Sequence, residues 1–144
     1  MKRILIQGAN WVGDALMSTP VLVCVRAAFP QAHLSVLTVP WVEGVYGGHP
    51  CVDGKVVYER GGRHRGAKGK RMLMKELRQG RFEMAILLPN SFESALLAYM
   101  ANIPVRVGYR TDGRGALLTH GIQRDQKVMA RHQVGYYLGI PHSL

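Results

Sequence analysis

The residues best placed to do chemistry are in Gly8-Ala9-Asn10-Trp11-Val12-Gly13-Asp14, which directly follows the apolar run Ile4-Leu5-Ile6. A buried strand that runs into a glycine-punctuated loop and then into a helix is the shape of a phosphate- or dinucleotide-binding turn. The spacing of Gly8 and Gly13 matches a P-loop, but Asp14 and Ala15 stand where that loop needs Lys and Ser or Thr. A carboxylate there repels a polyphosphate, and the spacing is not GxGxxG either. The turn keeps a Rossmann-like shape with altered chemistry, which makes Asp14 a candidate general base. Asn10, Trp11 and Gly13, in the same loop, are candidate substrate contacts. The plainer alternative for Asp14 is a first-turn acid that complements the helix dipole and free N–H groups.

Two further segments carry polar groups. In Pro89-Asn90-Ser91-Phe92-Glu93-Ser94, either Ser91 or Asn90 reads as a helix N-cap. Asn90, Ser91 and Ser94 are also candidate ligands for a sugar or phosphate oxygen at a helix start. Between Arg60 and Arg81 lie nine Lys and Arg residues against the single acid Glu76. Arg60, Arg63 and Arg65 sit among glycines in a loop and suit a carboxylate or phosphate clamp. Lys68, Lys75 and Arg78 read as a solvated helix face. The six histidines show no HExxH or His-x3-His spacing and the cysteines are not near them in sequence, so no metal site is expected. No cofactor is expected, and there is no GxSxG elbow.

The elements that must position these residues alternate. Strands are expected at residues 2–7, 33–37, 54–58, 83–88 and 105–108. Helices are expected at 13–28, 40–46, 68–79, 92–101 and 126–138, with polar loops at 59–67 and 109–121. In the first helix Leu16, Val23 and Ala27 share one face, and Pro20 should bend it or mark a restart. This rhythm predicts a single α/β domain over residues 1–144: a Rossmann-like, doubly wound, mostly parallel sheet with ligands beyond the carboxyl ends of its strands. Loops 8–14, 59–67 and 89–94 then share one rim.

The chain has 144 residues, 47% of them hydrophobic, which argues against disorder. No apolar stretch reaches the roughly 18 residues of a membrane span, and no signal peptide is expected from Met1-Lys2-Arg3 and the short strand that follows it. Cys24 and Cys51 read as a reduced, cytoplasmic pair. The net charge of +10 implies an anionic partner: nucleic acid, an acidic glycan or an anionic membrane surface.

Trp11-Val12-Gly13-Asp14, followed by Met17-Ser18 and Pro20, resembles the start of the ADP-heptose:lipopolysaccharide heptosyltransferases of glycosyltransferase family 9. Pro89-Asn90-Ser91-Phe92-x-Ser94-Ala95-Leu96 and Ile103-Pro104-x-Arg106-x-Gly108-Tyr109-Arg110 are similar to its type II members, as is the closing segment His132-Gln-Val-x-Tyr136-Tyr137-Leu138. Ala9, where that family often has proline, is a minor departure. The resemblance implies the amino-terminal, acceptor-binding half of a two-domain, inverting, metal-independent GT-B enzyme. Asp14 would be its base, and the loop arginines would meet the acidic Kdo and phosphate groups of the lipopolysaccharide inner core. The donor, ADP-L-glycero-D-manno-heptose, would be held by a carboxyl-terminal domain that this chain lacks, so the chain alone is expected to be inactive. Such a protein would work in the cytoplasm, peripheral to an anionic inner membrane, and a bared inter-domain face would promote dimers. The rival reading is a non-catalytic Rossmann-like module that binds nucleic acid or another polyanion. The absence of aromatics interleaved with the basic residues counts against nucleic acid.

Overall fold

The computed structural model describes residues 2–59, 61–89, 91–109 and 114–122. Arg60, Asn90 and the helix expected at 126–138 lie outside them. The described elements are β1 (Arg3–Gln7), α1 (Val12–Ala28), β2 (His33–Thr38), α2 (Glu43–Gly47), β3 (Gly54–Val57) and α3 (Gly66–Gln79), then β4 (Met84–Leu87), α4 (Phe92–Met100), β5 (Val105–Tyr109) and β6 (His120–Ile122). Short 3-10 turns cover Pro40–Val42 and Arg114–Leu117.

All six strands run parallel in the order β3-β2-β1-β4-β5-β6. Ile6 pairs with Val36 on one side and Ile86 on the other, so β1 lies at the centre of the sheet. Apolar runs such as Ile4-Leu5-Ile6 suit this place, because a parallel strand covered on both faces has no wet side. Successive residues feed opposite layers. Ile4 and Ile6 pack with Leu22 and Val36 under α1, whereas Leu5 packs with Leu73 and Leu77 of α3. The strand order reverses between β1 and β4, and a crevice opens at their carboxyl ends.

Two expectations change, and the two alternatives for Pro20 narrow to one. The face of α1 that meets the core carries Ala15, Ser18, Leu22 and Val25, while Leu16 and Val23 are more than half exposed and Ala27 is exposed as well. Apolar residues surround this helix, so periodicity does not single out its buried stripe. The helix also runs through Pro20 without a restart. Pro20 has no N–H for the Leu16 carbonyl, and the Thr19 hydroxyl donates to it instead at 2.8 Å. Finally, the segment expected to be a polar loop at 109–121 holds a 3-10 turn and most of β6. With only three residues, one of them Gly121, β6 lacks the apolar run that marks the other strands.

Candidate active site

The turn after β1 is held from both sides. The Gly8 amide donates to the Leu37 carbonyl at 2.9 Å, and the ring of Tyr46 lies directly against Gly8. A Cβ on Gly8 would stand 2.5 Å from the Tyr46 Cε2, so only glycine lets the ring lie there. The buried Tyr46 hydroxyl accepts the Ala9 amide at 2.9 Å and lies 2.7 Å from the Ser18 Oγ, which itself donates to the Ala15 carbonyl at 2.8 Å. The donor of Ser18 is thus committed, so Tyr46 donates to Ser18 and each polar atom in the chain is satisfied. This relay ties the end of β1 to the first turns of α1.

Asp14 occupies that first turn, half-buried, with Trp11 at the N-cap position. Burial raises the Tyr46 phenol above its ordinary value. The Ser18 and Ala9 hydrogen bonds oppose the rise, and the charge of Asp14 adds to it. Asp14 therefore lies within electrostatic reach of the hydroxyl that braces its own turn. Tyr46→Phe should cost about 1–3 kcal/mol by stranding the buried Ala9 amide and Ser18, measured by urea unfolding. The sign of its pH dependence follows from the raised phenol. The native state holds the Tyr46 proton more tightly, so that stability is intact below pH 10 and declines as pH rises above it. The difference between wild type and Tyr46→Phe should shrink over that range.

The crevice at the sheet's reversal point encloses about 20 Å³ and is lined by Asn10, Thr38, Tyr58, Ser91 and Ser94 among others. Asn10, far in sequence from Ser91 and Ser94, thus meets them on one rim. Asp14, Gly13 and Trp11 stand beside this lining rather than within it, with Gly13 exposed and Trp11 69% exposed. The Ser91 hydroxyl caps α4 by accepting the Ser94 amide at 3.3 Å. Buried Gln7 donates to the Ser94 carbonyl at 2.8 Å, which fixes α4 to the end of β1. Trp41, not singled out from the sequence, donates its indole N–H to the Asn10 carbonyl at 2.6 Å and forms a second exposed aromatic beside Trp11.

The basic loop after β3 is organised around His64, which the sequence did not distinguish from the other histidines. Its side chain is buried, with Nδ1 accepting the Glu59 amide at 3.0 Å. Nε2 is then the donor and faces the Glu76 Oε1 at 3.3 Å. Arg63 bonds to the same Glu76 oxygen at 2.9 Å and to Glu59 at 3.3 Å. Arg65 is exposed and makes no ion pair among the described residues. The Tyr58 hydroxyl donates to Glu93 at 3.0 Å, joining this loop to α4. Among the described residues no group of three or more His, Cys, Asp or Glu could hold a metal ion, and no helix is long and apolar enough to cross a membrane.

A carboxylate on a braced helix start, beside a hydroxyl-lined crevice with an arginine loop nearby, can accept a proton from an alcohol on an acidic substrate. Known proteins resemble this chain in sequence and in fold. The profile of glycosyltransferase family 9 (heptosyltransferase) matches residues 70–140. The lipopolysaccharide heptosyltransferase 2 of Salmonella typhimurium is 36% identical over 116 residues, covering 81% of this chain and 33% of that protein. The solved structure of E. coli ADP-heptose lps heptosyltransferase II superposes with a TM-score of 0.80 at 33% identity, over 98% of this chain and 40% of that one. A family 9 glycosyl transferase from Veillonella parvula shares the fold, with a TM-score of 0.86 at 22% identity, over 98% of this chain and 41% of that one. The chain thus spans about a third of the length of the curated relatives it matches. Over residues 70–140 the chain matches the model of glycosyltransferase family 9, and in sequence and fold it is similar to heptosyltransferases of that family.

Proposed function

We propose that this chain is the acceptor-binding part of an enzyme that transfers heptose from ADP-L-glycero-D-manno-heptose to the lipopolysaccharide inner core, inverting the anomeric centre. The observation that carries the reading is Asp14 on the first turn of α1, in a turn braced by Tyr46 beside the crevice where the strand order reverses. The Asp14 carboxylate takes the proton of an acceptor hydroxyl. That oxygen attacks the anomeric carbon, and the bond from that carbon to the ADP oxygen breaks. Asn10, Trp11, Gly13, Asn90, Ser91 and Ser94 hold the acceptor sugar near the rim. Arg60, Arg63 and Arg65 meet its carboxylates and phosphates. A second domain supplies the ADP-heptose pocket, and the enzyme works at the cytoplasmic face of an anionic inner membrane.

Binding of an acidic, Kdo-containing core oligosaccharide tests the acceptor half of this reading in the 144-residue chain. Calorimetry should show saturable binding that Arg65→Ala weakens by roughly tenfold, in line with one charge-assisted contact. Random oligonucleotides should bind only weakly and with strong salt dependence. Oligonucleotide binding without any oligosaccharide binding would favour the polyanion module, and heptose transfer by the chain alone would disprove the need for a donor domain.

A further inference from the structure

We infer that the face formed by α3 and α4 docks on an anionic lipid bilayer. This rests on the membrane contact proposed above and gives it a surface. A groove of about 940 Å³ runs between the two helices. Met74 and Leu97 form its buried floor, and Leu96 and Met100 its apolar side. Lys70, Arg71, Lys75 and Arg81 line it, are exposed, and make no ion pair among the described residues. Arg78 also lines it, with its guanidinium on the Met100 carbonyl at 2.7 Å.

Acids are too few to neutralise this face. Glu76, the one acid of α3, is taken by Arg63 and His64. Glu93, the one carboxylate in the lining, accepts the Tyr58 hydroxyl and keeps its charge, against the five cations Lys70, Arg71, Lys75, Arg78 and Arg81. The groove is therefore cationic at its walls and apolar at its floor.

The α4 surface decides which anion fits. Phe92, Tyr99 and Met100 are 44%, 52% and 46% exposed, at positions i, i+7 and i+8 of one helical face. Exposed aromatic and apolar groups beside a row of Lys and Arg suit the boundary between headgroups and acyl chains. A soluble phosphate has no use for that apolar strip. Nucleic acid would need open aromatic faces, and the Tyr99 ring already carries the Arg106 guanidinium 5.2 Å from its centroid. A second copy would bring an equally basic face against this one. α4 begins at the crevice, where Ser91 and Ser94 belong to the lining, so a bilayer along this face would present a lipid-anchored acceptor to that rim.

The test uses the 144-residue chain with phosphatidylcholine vesicles, with and without phosphatidylglycerol. The chain should sediment with the anionic vesicles only. Lys70→Glu/Lys75→Glu should lower the partition coefficient by at least about tenfold, near fivefold per cation lost. Lys2→Glu/Lys55→Glu changes net charge equally outside the groove and should lower it far less. A Met100→Trp probe should be quenched by brominated lipid, while the native Trp11 and Trp41, on the α1 and α2 side, should not. Equal loss in both charge-reversed pairs, no quenching of the groove probe, or no binding to anionic vesicles would each overturn the assignment. So would a lipid-free dimer abolished by Leu96→Ser/Met100→Ser. No donor or acceptor sugar is present, so failure here removes the docking face and leaves the transferase reading standing.

Discussion

Asp14→Asn, made in a polypeptide that carries both this chain and a donor-binding domain, is expected to lower kcat for heptose transfer by about 100- to 10,000-fold, the usual contribution of a positioned general base. The amide is nearly isosteric with the carboxylate, can still cap the first turn of α1, and leaves the Tyr46–Ser18–Ala15 relay untouched. Acceptor affinity should therefore change by no more than about twofold, because the loss falls on the transition state and not on ground-state binding. The two roles of Asp14 separate here. If the residue served only the helix dipole, Asn would cost a few tenths of a kcal/mol in stability and turnover would persist. Retained turnover with unchanged acceptor binding would demote Asp14 to that structural role.

Gly69→Ala should destabilise the fold by about 2 kcal/mol or more, lowering Tm by at least about 5 °C in thermal unfolding. Elsewhere in a helix the same change stabilises, by up to about 1 kcal/mol. The sign reverses here because the backbone of His64 lies directly on Gly69. A Cβ would stand 2.6 Å from the His64 Cα and nearer still to its carbonyl carbon. Backbone cannot rotate away as a side chain can, so either α3 or the arginine loop must shift. The second outcome would also move Arg63 and Arg65, so acceptor binding should weaken together with stability. Gly44→Ala is the internal contrast: nothing lies within 4 Å of its added Cβ, and it should be neutral or stabilising. An unchanged Tm in Gly69→Ala would mean that the loop does not rest on α3 in solution.

How far the site was legible depends on how local each signal is. A cap at Asn90 or Ser91 was readable because cap, amide and helix start lie within four residues, and the structure places it at Ser91. The relay behind Asp14 was not. Tyr46 lies 37 residues from Ala9 and 28 from Ser18, and an aromatic before Gly47-Gly48 carries no mark of such a partner. His64 was hidden for the same reason: its burial follows from Gly69 and Glu76 meeting it in space. Nor could charge counting show that Arg63 is paired with Glu59 and Glu76 while Arg65 is exposed.

Taken alone, the sequence determined the alternation of strands and helices, the parallel sheet, the glycine-punctuated turn before Asp14 and the concentration of positive charge after β3. These follow from side-chain periodicity and backbone preference, which act over a few residues. Tertiary structure alone decided the buried face of α1, the short edge strand β6, the Tyr46 and His64 braces, and the cationic groove between α3 and α4. Each of these depends on which distant residue arrives opposite. That is set by the packing of layers around the sheet, and no local pattern in the chain encodes it.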